Sequence, residues 1–188
     1  MSAENRRKLF TFDDCIRMAE VGILSPADRV ELIHGEILKM SPIGPRHGAA
    51  VDGTTRAMVQ LAGDTAIVRV QGTVVLDQFC APQPDIVLLR PKDDFYAGKN
   101  PGSPDILLII EVADSSLEYD ITVKLELYAI LGIVEYWVAD LPNNRLLVHS
   151  EPVGDSYRTV REFRRGDTIA PQLLPDCLIG VDILLADR

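Results

Sequence analysis

The sequence predicts an α/β fold with a mixed central sheet and helices on its flanks. Strand-like and helix-like segments alternate through the middle of the chain, and residues 106–110 form its most apolar run. Alternating elements are typical of α/β folds, and a continuous apolar run indicates a strand that is buried on both faces. Because 188 residues can bury a substantial core, we expect one domain over residues 1–188.

The N-terminal elements are predicted from caps and turns. Thr11 can cap a first helix. VELIHGEILKM, residues 30–40, alternates around His34-Gly35 and therefore predicts a β-hairpin. A second helix is predicted over residues 45–64, with Gly63 near its end.

The rest of the chain is predicted to be rich in strands. SLEYDITVKLELYAILG, residues 116–132, predicts a helix that Gly132 ends. Strands are predicted in AIVRVQGTVVLD (66–77, one or two strands), QPDIVLLR (83–90), DILLIIEV (105–112), VEYWVAD (134–140), RLLVHSE (145–151) and SYRTVREF (156–163), and CLIGVDILL (177–185) completes a mostly β tail.

The composition is that of an ordinary globular protein. No apolar run approaches the roughly 20 residues that a membrane helix needs, and the N-terminal MSAENRRKLFTFDD lacks the apolar segment of a signal peptide. The three cysteines lie far apart and the three histidines show no helical metal-ligand spacing, which disfavours disulfides and a zinc enzyme. We therefore expect a cytoplasmic protein with reduced thiols.

The charge argues against a protein that coats DNA without specificity. The chain has 19 basic and 28 acidic residues, which gives a formal net charge of −9. DNA phosphates favour a basic surface, although this balance leaves room for a local basic groove. The densest basic cluster, RTVREFRRGD at residues 158–167, is also consistent with a solvated strand edge.

Two carboxylates stand at strand ends in the middle of the chain. Side chains alternate between the faces of a strand, so Glu111 shares a face with Leu107 and Ile109. Asp85 begins the preceding apolar strand. If these strands are antiparallel neighbours, the two carboxylates converge on one point. Such a pair of oxygen ligands suits a hard divalent cation.

A lysine interrupts the apolar face of the helix that follows. Ile121, Lys124 and Tyr128 share this face because they are three and four residues apart along the helix. A lysine here needs an anionic partner or a stem that reaches water. We interpret Tyr128 and Trp137 as core residues.

Each of these charged residues also has an ordinary structural explanation. Lys124 could pair with Asp120 on the helix surface, a contact worth only a few tenths of a kcal/mol. Glu111 could mark a strand that leaves the core, and Asp85 could be a turn residue. The combination of all three is harder to explain by structure alone.

The order of these residues resembles the PD-(D/E)XK nuclease superfamily, because Pro84-Asp85 is followed by Glu111 at a strand end. More narrowly, the chain is similar to the Uma family of restriction endonucleases from about residue 32 to about residue 185. The similar segments are ELIHGEILKMSPIGPRH, PQPDIVLL, LLIIEVADSSLEYDITVKLELYAILGIVEYWVAD and LLPDCLIGVDILL. This resemblance implies a restriction-endonuclease-like fold with an N-terminal helix and hairpin.

One position departs from the superfamily pattern. The lysine of that pattern stands two residues after the acid, where this chain has Ala113. The Uma-type pattern instead places a lysine on the following helix, and Lys124 matches it. The resemblance therefore implies that Lys124 reaches the site of Glu111 from the helix.

The resemblance implies a DNA endonuclease that depends on Mg²⁺, with Mn²⁺ as an alternative. Asp85, Glu111 and the backbone carbonyl of Val112 would be the metal ligands. Lys124 would position or deprotonate the attacking water, or neutralise charge in the transition state.

Two further residues have open roles. The resemblance points to Glu36 as an additional catalytic acid, and the alternative is an exposed hairpin glutamate. His47 either approaches the site or is a surface histidine at the start of a helix.

DNA is the implied partner. Cutting both strands needs two sites, which favours a homodimer, and the predicted hairpin at residues 134–150 is rich in apolar residues that could form an interface. The alternative function is a non-catalytic nuclease-fold module that binds DNA or a protein partner. The negative charge favours this alternative, and the Asp-Glu-Lys set disfavours it.

Overall fold

The computed structural model describes residues 7–25 and 27–186. The helices are α1 (Phe12–Glu20), α2 (Pro45–Ala62), α3 (Leu117–Tyr119), α4 (Leu125–Ile130) and α5 (Val181–Leu184), with a π-helical segment (Asp120–Lys124) between α3 and α4 and short 3₁₀ turns at Gly63–Thr65 and Ser103–Asp105. The strands are β1 (Val30–Ile33), β2 (Glu36–Lys39), β3 (Ile67–Val70), β4 (Ile86–Leu89), β5 (Ile106–Ala113), β6 (Glu135–Asp140), β7 (Arg145–Val153), β8 (Ser156–Arg164), β9 (Thr168–Ile169) and β10 (Ile179–Gly180).

The central sheet has six strands in the order β3-β4-β5-β6-β7-β8. Its β5–β6 pair is parallel, and its other pairs are antiparallel. A parallel pair needs a crossover connection, which α3, the π-helical segment and α4 provide. The predicted α/β fold with a mixed sheet is therefore confirmed.

The predicted caps and turns form as expected. Thr11 and Asp14 make a reciprocal capping box at the start of α1. His34 and Gly35 have φ angles of 50° and 75°, and two left-handed residues give the β1–β2 hairpin its tight turn. Gly132, with φ of 73°, follows the end of α4.

Helices and the hairpin cover the two faces of the central sheet with separate apolar clusters. On one face, α2 and α5 pack on side chains such as Leu108, Ile110 and Trp137. On the other face, α4 and the hairpin pack on side chains such as Ile109 and Tyr136. Every residue of β4 and β5 is buried, so a charged group at the end of either strand is partly enclosed by protein.

The register of β4 and β5 brings the two predicted carboxylates together. Ile86 pairs with Ile110 in this antiparallel ladder, so Asp85 and Glu111 are the next facing positions. Neighbouring residues on their side of the sheet belong to the cluster beneath α4. The carboxylates therefore share one face of the sheet, as the strand pattern predicted.

The β6–β7 hairpin is not the exposed apolar surface that we expected. All of β6 is buried, because β6 lies between β5 and β7, and β7 lies between β6 and β8. This removes the interface predicted at residues 134–150, while the homodimer itself stays a prediction. On this side of the sheet the edge strand is β8, whose mostly exposed side chains confirm that the basic cluster lies at a solvated strand edge.

Two other segments differ from the prediction. Only the first part of residues 66–77 forms a strand, because the backbone N–H groups of Val74 and Val75 donate to loop carbonyls of Pro82 and Pro101. At the C-terminal end, β10 is two residues long and leads into α5, whose apolar side chains pack against α2.

The cysteines and helices agree with the composition. All three cysteines are free thiols. Within residues 7–25 and 27–186, none of the helices combines the length and the apolarity that a membrane span requires.

Candidate active site

A cavity of about 470 Å³ opens where the hairpin, the start of α2 and the ends of β4 and β5 meet the π-helical segment. Its lining is unusually acidic for a space enclosed by a core sheet. The titratable and polar residues that line it are Arg29, Glu31, Lys39, Ser41, His47, Asp85, Glu111, Asp114, Ser115, Ser116, Tyr119, Asp120 and Lys124.

Asp85 is held by one backbone group and two side chains. Its Oδ2 accepts a hydrogen bond from the backbone N–H of Val112 at 2.9 Å. Its Oδ1 lies 3.0 Å from Nε2 of His47 and accepts from Nε2 of Gln71 at 3.2 Å. Burial alone would raise the pKa of Asp85, but these hydrogen bonds outweigh burial and lower the pKa below its ordinary value.

Glu111 connects Asp85 to the helix. Its Oε2 accepts from the backbone N–H of Asp85 at 3.2 Å. Its Oε1 accepts from Nζ of Lys124 at 2.8 Å and from the hydroxyl of Tyr128 at 3.0 Å. Burial raises the pKa of Glu111 to about 8, although the charge of Lys124 acts in the opposite direction.

Lys124 lies among three carboxylates. Its Nζ is 2.8 Å from Glu111, 3.6 Å from Glu31 and 3.9 Å from Asp120. Burial alone would lower the pKa of Lys124, but these carboxylates raise it above its ordinary value. Lys124 thus points into the cavity from the helix, within the reach that the sequence predicted.

The alternative of a surface pair is wrong for Lys124. Asp120 is its neighbour one turn earlier, as that alternative required, but both side chains are buried, with 3% and 6% of Asp120 and Lys124 exposed. The pair belongs to the cavity and not to the helix surface.

Comparison with known proteins identifies the family of the chain. Residues 12–182 match the family model described as "Uma2: Putative restriction endonuclease". The chain belongs to the Uma2 family. No curated protein matches the chain.

One solved structure shows the same fold for this Uma2 member. It is a crystal structure from Anabaena variabilis ATCC 29413, described as "a putative nuclease belonging to DUF820". The two chains align with a TM-score of 0.72 at 15% sequence identity, over 94% of this chain and 97% of the other. The restriction-endonuclease-like fold predicted from the sequence is confirmed.

The hairpin of this Uma2 member contributes a different acid from the one that the sequence indicated. Glu36 is half exposed, pairs with Arg7 at 2.7 Å and is absent from the cavity lining. Glu31, on the partner strand of the hairpin, is buried in the cavity. Local sequence spacing gave no signal for Glu31, because its inward position follows from how the hairpin lies on the sheet.

His47 joins the cavity, contrary to the surface alternative. Its side chain is 17% exposed and contacts Asp85 from the first turn of α2. The hydrogen bond with Asp85 is the main cause that raises the pKa of His47, and the backbone of Val112 adds to the effect.

The residues around Asp85 supply oxygen donors, the type of ligand that a hard cation prefers. In the part of the chain that the structure describes, no group of three or more His, Cys, Asp or Glu side chains is arranged to hold a metal ion. The predicted set differs from such a group, because it consists of Asp85, Glu111 and a backbone carbonyl. Oxygen donors of this kind suit Mg²⁺ or Mn²⁺, which complete their coordination with water and substrate.

Proposed function

We propose that this chain is a metal-dependent endonuclease that hydrolyses phosphodiester bonds of DNA. The observation that carries the proposal is the convergence of Asp85, Glu111 and Lys124 on one cavity from two strands and a helix. Membership of a family of restriction endonucleases supports the same activity.

Asp85 and Glu111 would hold the metal ion together with the carbonyl oxygen of Val112. We propose Mg²⁺ as the physiological ion, with Mn²⁺ as a substitute of the same ligand preference. When bound, a divalent ion polarises a phosphoryl oxygen and lowers the pKa of a coordinated water. The chain contributes the oxygen donors, which it holds at the paired ends of two buried strands.

Lys124 would act as a fixed ammonium group. Because neighbouring carboxylates raise its pKa, Lys124 stays protonated near neutral pH. A protonated amine can orient water or a phosphoryl oxygen and neutralise charge that develops during hydrolysis. Among the roles that the sequence left open, this favours positioning and charge neutralisation over deprotonation of the water.

The acidity of the cavity explains why a DNA phosphate would need a cation there. Unscreened carboxylates repel a phosphate, and the protein as a whole carries a formal charge of −9. A divalent ion between Asp85 and Glu111 would offset this repulsion at the point of cleavage. The carboxylates that line the cavity are Glu31, Asp85, Glu111, Asp114 and Asp120.

The second candidate function is a non-catalytic module that binds DNA or a protein partner. One observation favours it: each carboxylate oxygen of Asp85 and Glu111 already has a hydrogen-bond partner in the protein. A network that is complete without metal could serve structure alone. Metal binding by the purified protein separates the two functions, because the module needs none.

Cleavage of both strands of a duplex would need two sites, and we propose a homodimer for this reason. Light scattering at micromolar concentration tests this assembly. A monomer under these conditions would limit the protein to single-strand nicks unless DNA itself pairs two copies.

The activity is tested by nicking of supercoiled plasmid DNA with Mg²⁺ and with a chelator. We expect nicks only with the metal, and none from Asp85→Asn, which keeps the side-chain shape and removes the charge. Glu118→Gln is a matched control, because Glu118 is exposed on α3 and lies outside the cavity lining. Metal-independent nicking, or full activity of Asp85→Asn, would contradict the proposal.

A further inference from the structure

We infer that Glu31 and Asp120 are positioning residues that hold the Lys124 ammonium against Glu111, and that neither is a metal ligand. The catalytic consequence of this inference rests on the proposed function, whereas the arrangement itself can be tested without any activity. It assigns a purpose to two buried acids that neither the superfamily pattern nor the resemblance indicated.

Both acids face the ammonium and not Asp85. Glu31 lies 3.6 Å and Asp120 lies 3.9 Å from Nζ of Lys124, and the side chains of both acids are at most 6% exposed. Glu111 completes this set of three around one cation, at 2.8 Å. In the described part of the chain, no hydrogen bond connects either acid with Asp85, whose partners are His47, Gln71 and Val112.

The two acids are themselves held in place. The hydroxyl of Ser116 donates to Oδ2 of Asp120 at 2.6 Å. The hydroxyl of Tyr119 lies 3.4 Å from Oε1 of Glu31 as a donor, and the backbone N–H of Gln83 lies 3.5 Å from its Oε2. Carboxylates that are fixed by other groups can restrict the ammonium to one position, which is the requirement for a positioning role.

The backbone between Asp120 and Lys124 is part of this arrangement. These residues form a π-helical turn inside an otherwise α-helical connection, and such turns occur frequently at functional sites. The hydroxyl of Tyr136 donates to the backbone carbonyl of Asp120 at 3.0 Å. This bond gives a buried carbonyl a partner where the regular helix pattern is interrupted.

Glu111 alone balances the charge of the ammonium, so the two further acids serve its position and not its charge. A buried ammonium with one carboxylate partner could shift toward the metal ligands or toward solvent, since a long side chain has many rotamers. With Glu31 and Asp120 at 3.6 Å and 3.9 Å, the ammonium stays buried among three carboxylates and in contact with Glu111. Glu111 can then interact with Lys124 through Oε1 while its Oε2 stays near Asp85.

The first test separates positioning from metal binding. We expect Glu31→Gln and Asp120→Asn to reduce the single-turnover nicking rate by about 10- to 100-fold, because a small misplacement of a catalytic group has this effect. In calorimetric titrations with Mn²⁺ alone, the same variants should bind the ion as the wild type does, whereas Asp85→Asn should lose binding. Glu118→Gln, an exposed acid on the same connection, should change neither quantity.

The second test does not require nuclease activity. In urea unfolding, Glu31→Gln should lower the midpoint of the wild-type protein but have a much smaller effect in the Lys124→Met background, because the partner charge is already absent. Circular dichroism establishes that each variant is folded before unfolding begins. If the wild type fails to nick DNA, the proposed function fails, and this double-mutant cycle still decides the inference.

Three results would overturn the inference. Loss of Mn²⁺ binding in Glu31→Gln or Asp120→Asn to the extent seen in Asp85→Asn would identify metal ligands. An unchanged nicking rate in both variants would show that the position of Lys124 does not depend on them. Additive midpoint shifts in the double-mutant cycle would show that Glu31 and Lys124 do not interact.

Discussion

The cavity has two halves that meet at Glu111 and differ in how their carboxylates are neutralised. In the lysine half, Oε1 of Glu111 and the carboxylates of Glu31 and Asp120 surround an ammonium that the chain itself supplies. In the metal half, Asp85 faces an imidazole, a side-chain amide and a backbone N–H group. One half thus contains the ammonium of Lys124, whereas in the other half the partners of Asp85 are a histidine, a side-chain amide and a backbone N–H group.

This difference indicates which half is able to accept an external cation. The ammonium of Lys124 is fixed by three contacts in a buried position, and removing it would leave carboxylates uncompensated. By contrast, Oδ1 of Asp85 is held only by the side chains of His47 and Gln71, which can rotate away. We therefore propose that a metal ion would bind on the Asp85 side of Glu111, whereas the fixed charge lies on the helix side.

The largest predicted effect on stability comes from removing the built-in cation. Lys124→Ala should lower the free energy of unfolding by about 3–5 kcal/mol, the usual cost of breaking a buried ion pair, and should abolish nicking. The loss should be largest above pH 8 and should shrink as the pH falls through about 8 and then about 6, because burial raises the pKa values of Glu111 and Asp120 to these values and their protonation relieves the repulsion. Urea unfolding at several pH values measures both effects.

Lys124→Arg tests the shape of the same cation. The guanidinium is wider and planar, so it should not fit at the common centre of three carboxylates, and nicking should be lost although the charge remains. Full activity of Lys124→Arg would show that charge alone is sufficient in the lysine half.

A histidine outside the cavity allows a test that separates the overall loss of stability at acidic pH from changes that arise in the two halves of the cavity. His149 lies in the core between Tyr136 and Tyr157, its ring nitrogens have no partner among the described residues, and burial lowers its pKa to about 4. Since the unfolded chain binds a proton near the ordinary pKa of about 6.5 and the folded chain does not, stability should fall as pH decreases from 6.5 toward 4.

The loss should reach about 3 kcal/mol, at 1.36 kcal/mol for each pKa unit. His149→Phe should remove this component of the acid sensitivity while leaving metal binding intact. If His149→Phe unfolds at the same pH as the wild type, the acid sensitivity originates in the cavity instead.

A smaller effect is expected from removing the hydroxyl of Tyr128, a neutral hydrogen-bond donor where the two halves of the cavity meet. Tyr128→Phe removes the hydroxyl that donates to Oε1 of Glu111 at 3.0 Å. Since Lys124 still contacts this oxygen, the cost should be about 1–2 kcal/mol, and nicking should be slowed but not lost. If Tyr128→Phe were inactive, the hydroxyl would be essential for nicking and not only a supporting hydrogen-bond donor.

The smallest effect is expected at the glutamate that the resemblance suggested. Glu36 is 47% exposed and pairs with an arginine at the surface, so Glu36→Gln should change stability by less than about 0.5 kcal/mol and leave nicking unchanged. A large loss of nicking would show that Glu36 contributes to the activity although it lies outside the cavity.

Much of this arrangement could be predicted from the sequence. The apolar runs before Glu111 and after Asp85 predicted buried strands. A shared site for the two carboxylates then required these strands to pair antiparallel. The position of Lys124 on an apolar helix face predicted that it points inward. These signals are local or involve neighbouring strands, so periodicity is sufficient to find them.

The remaining features depend on tertiary packing that periodicity does not reveal. The surface pair that the sequence left open for Lys124 would be worth only a few tenths of a kcal/mol, whereas the structure encloses Lys124 among three acids. The inward position of Glu31 follows from how the hairpin lies on the sheet, and the carbonyl of Asp120 in the π-helical turn accepts a hydrogen bond from the distant hydroxyl of Tyr136. Neither of these contacts has a counterpart in local sequence spacing.

The most direct measurement is a calorimetric titration of Mn²⁺ into the wild type and Asp85→Asn, followed by nicking assays on the same samples. The division of the cavity predicts that the wild type binds Mn²⁺ and nicks DNA, and that Asp85→Asn does neither while remaining folded. Equal Mn²⁺ binding by both proteins, or nicking by a wild type that binds no metal, would contradict the assignment of the metal to the Asp85 side of Glu111.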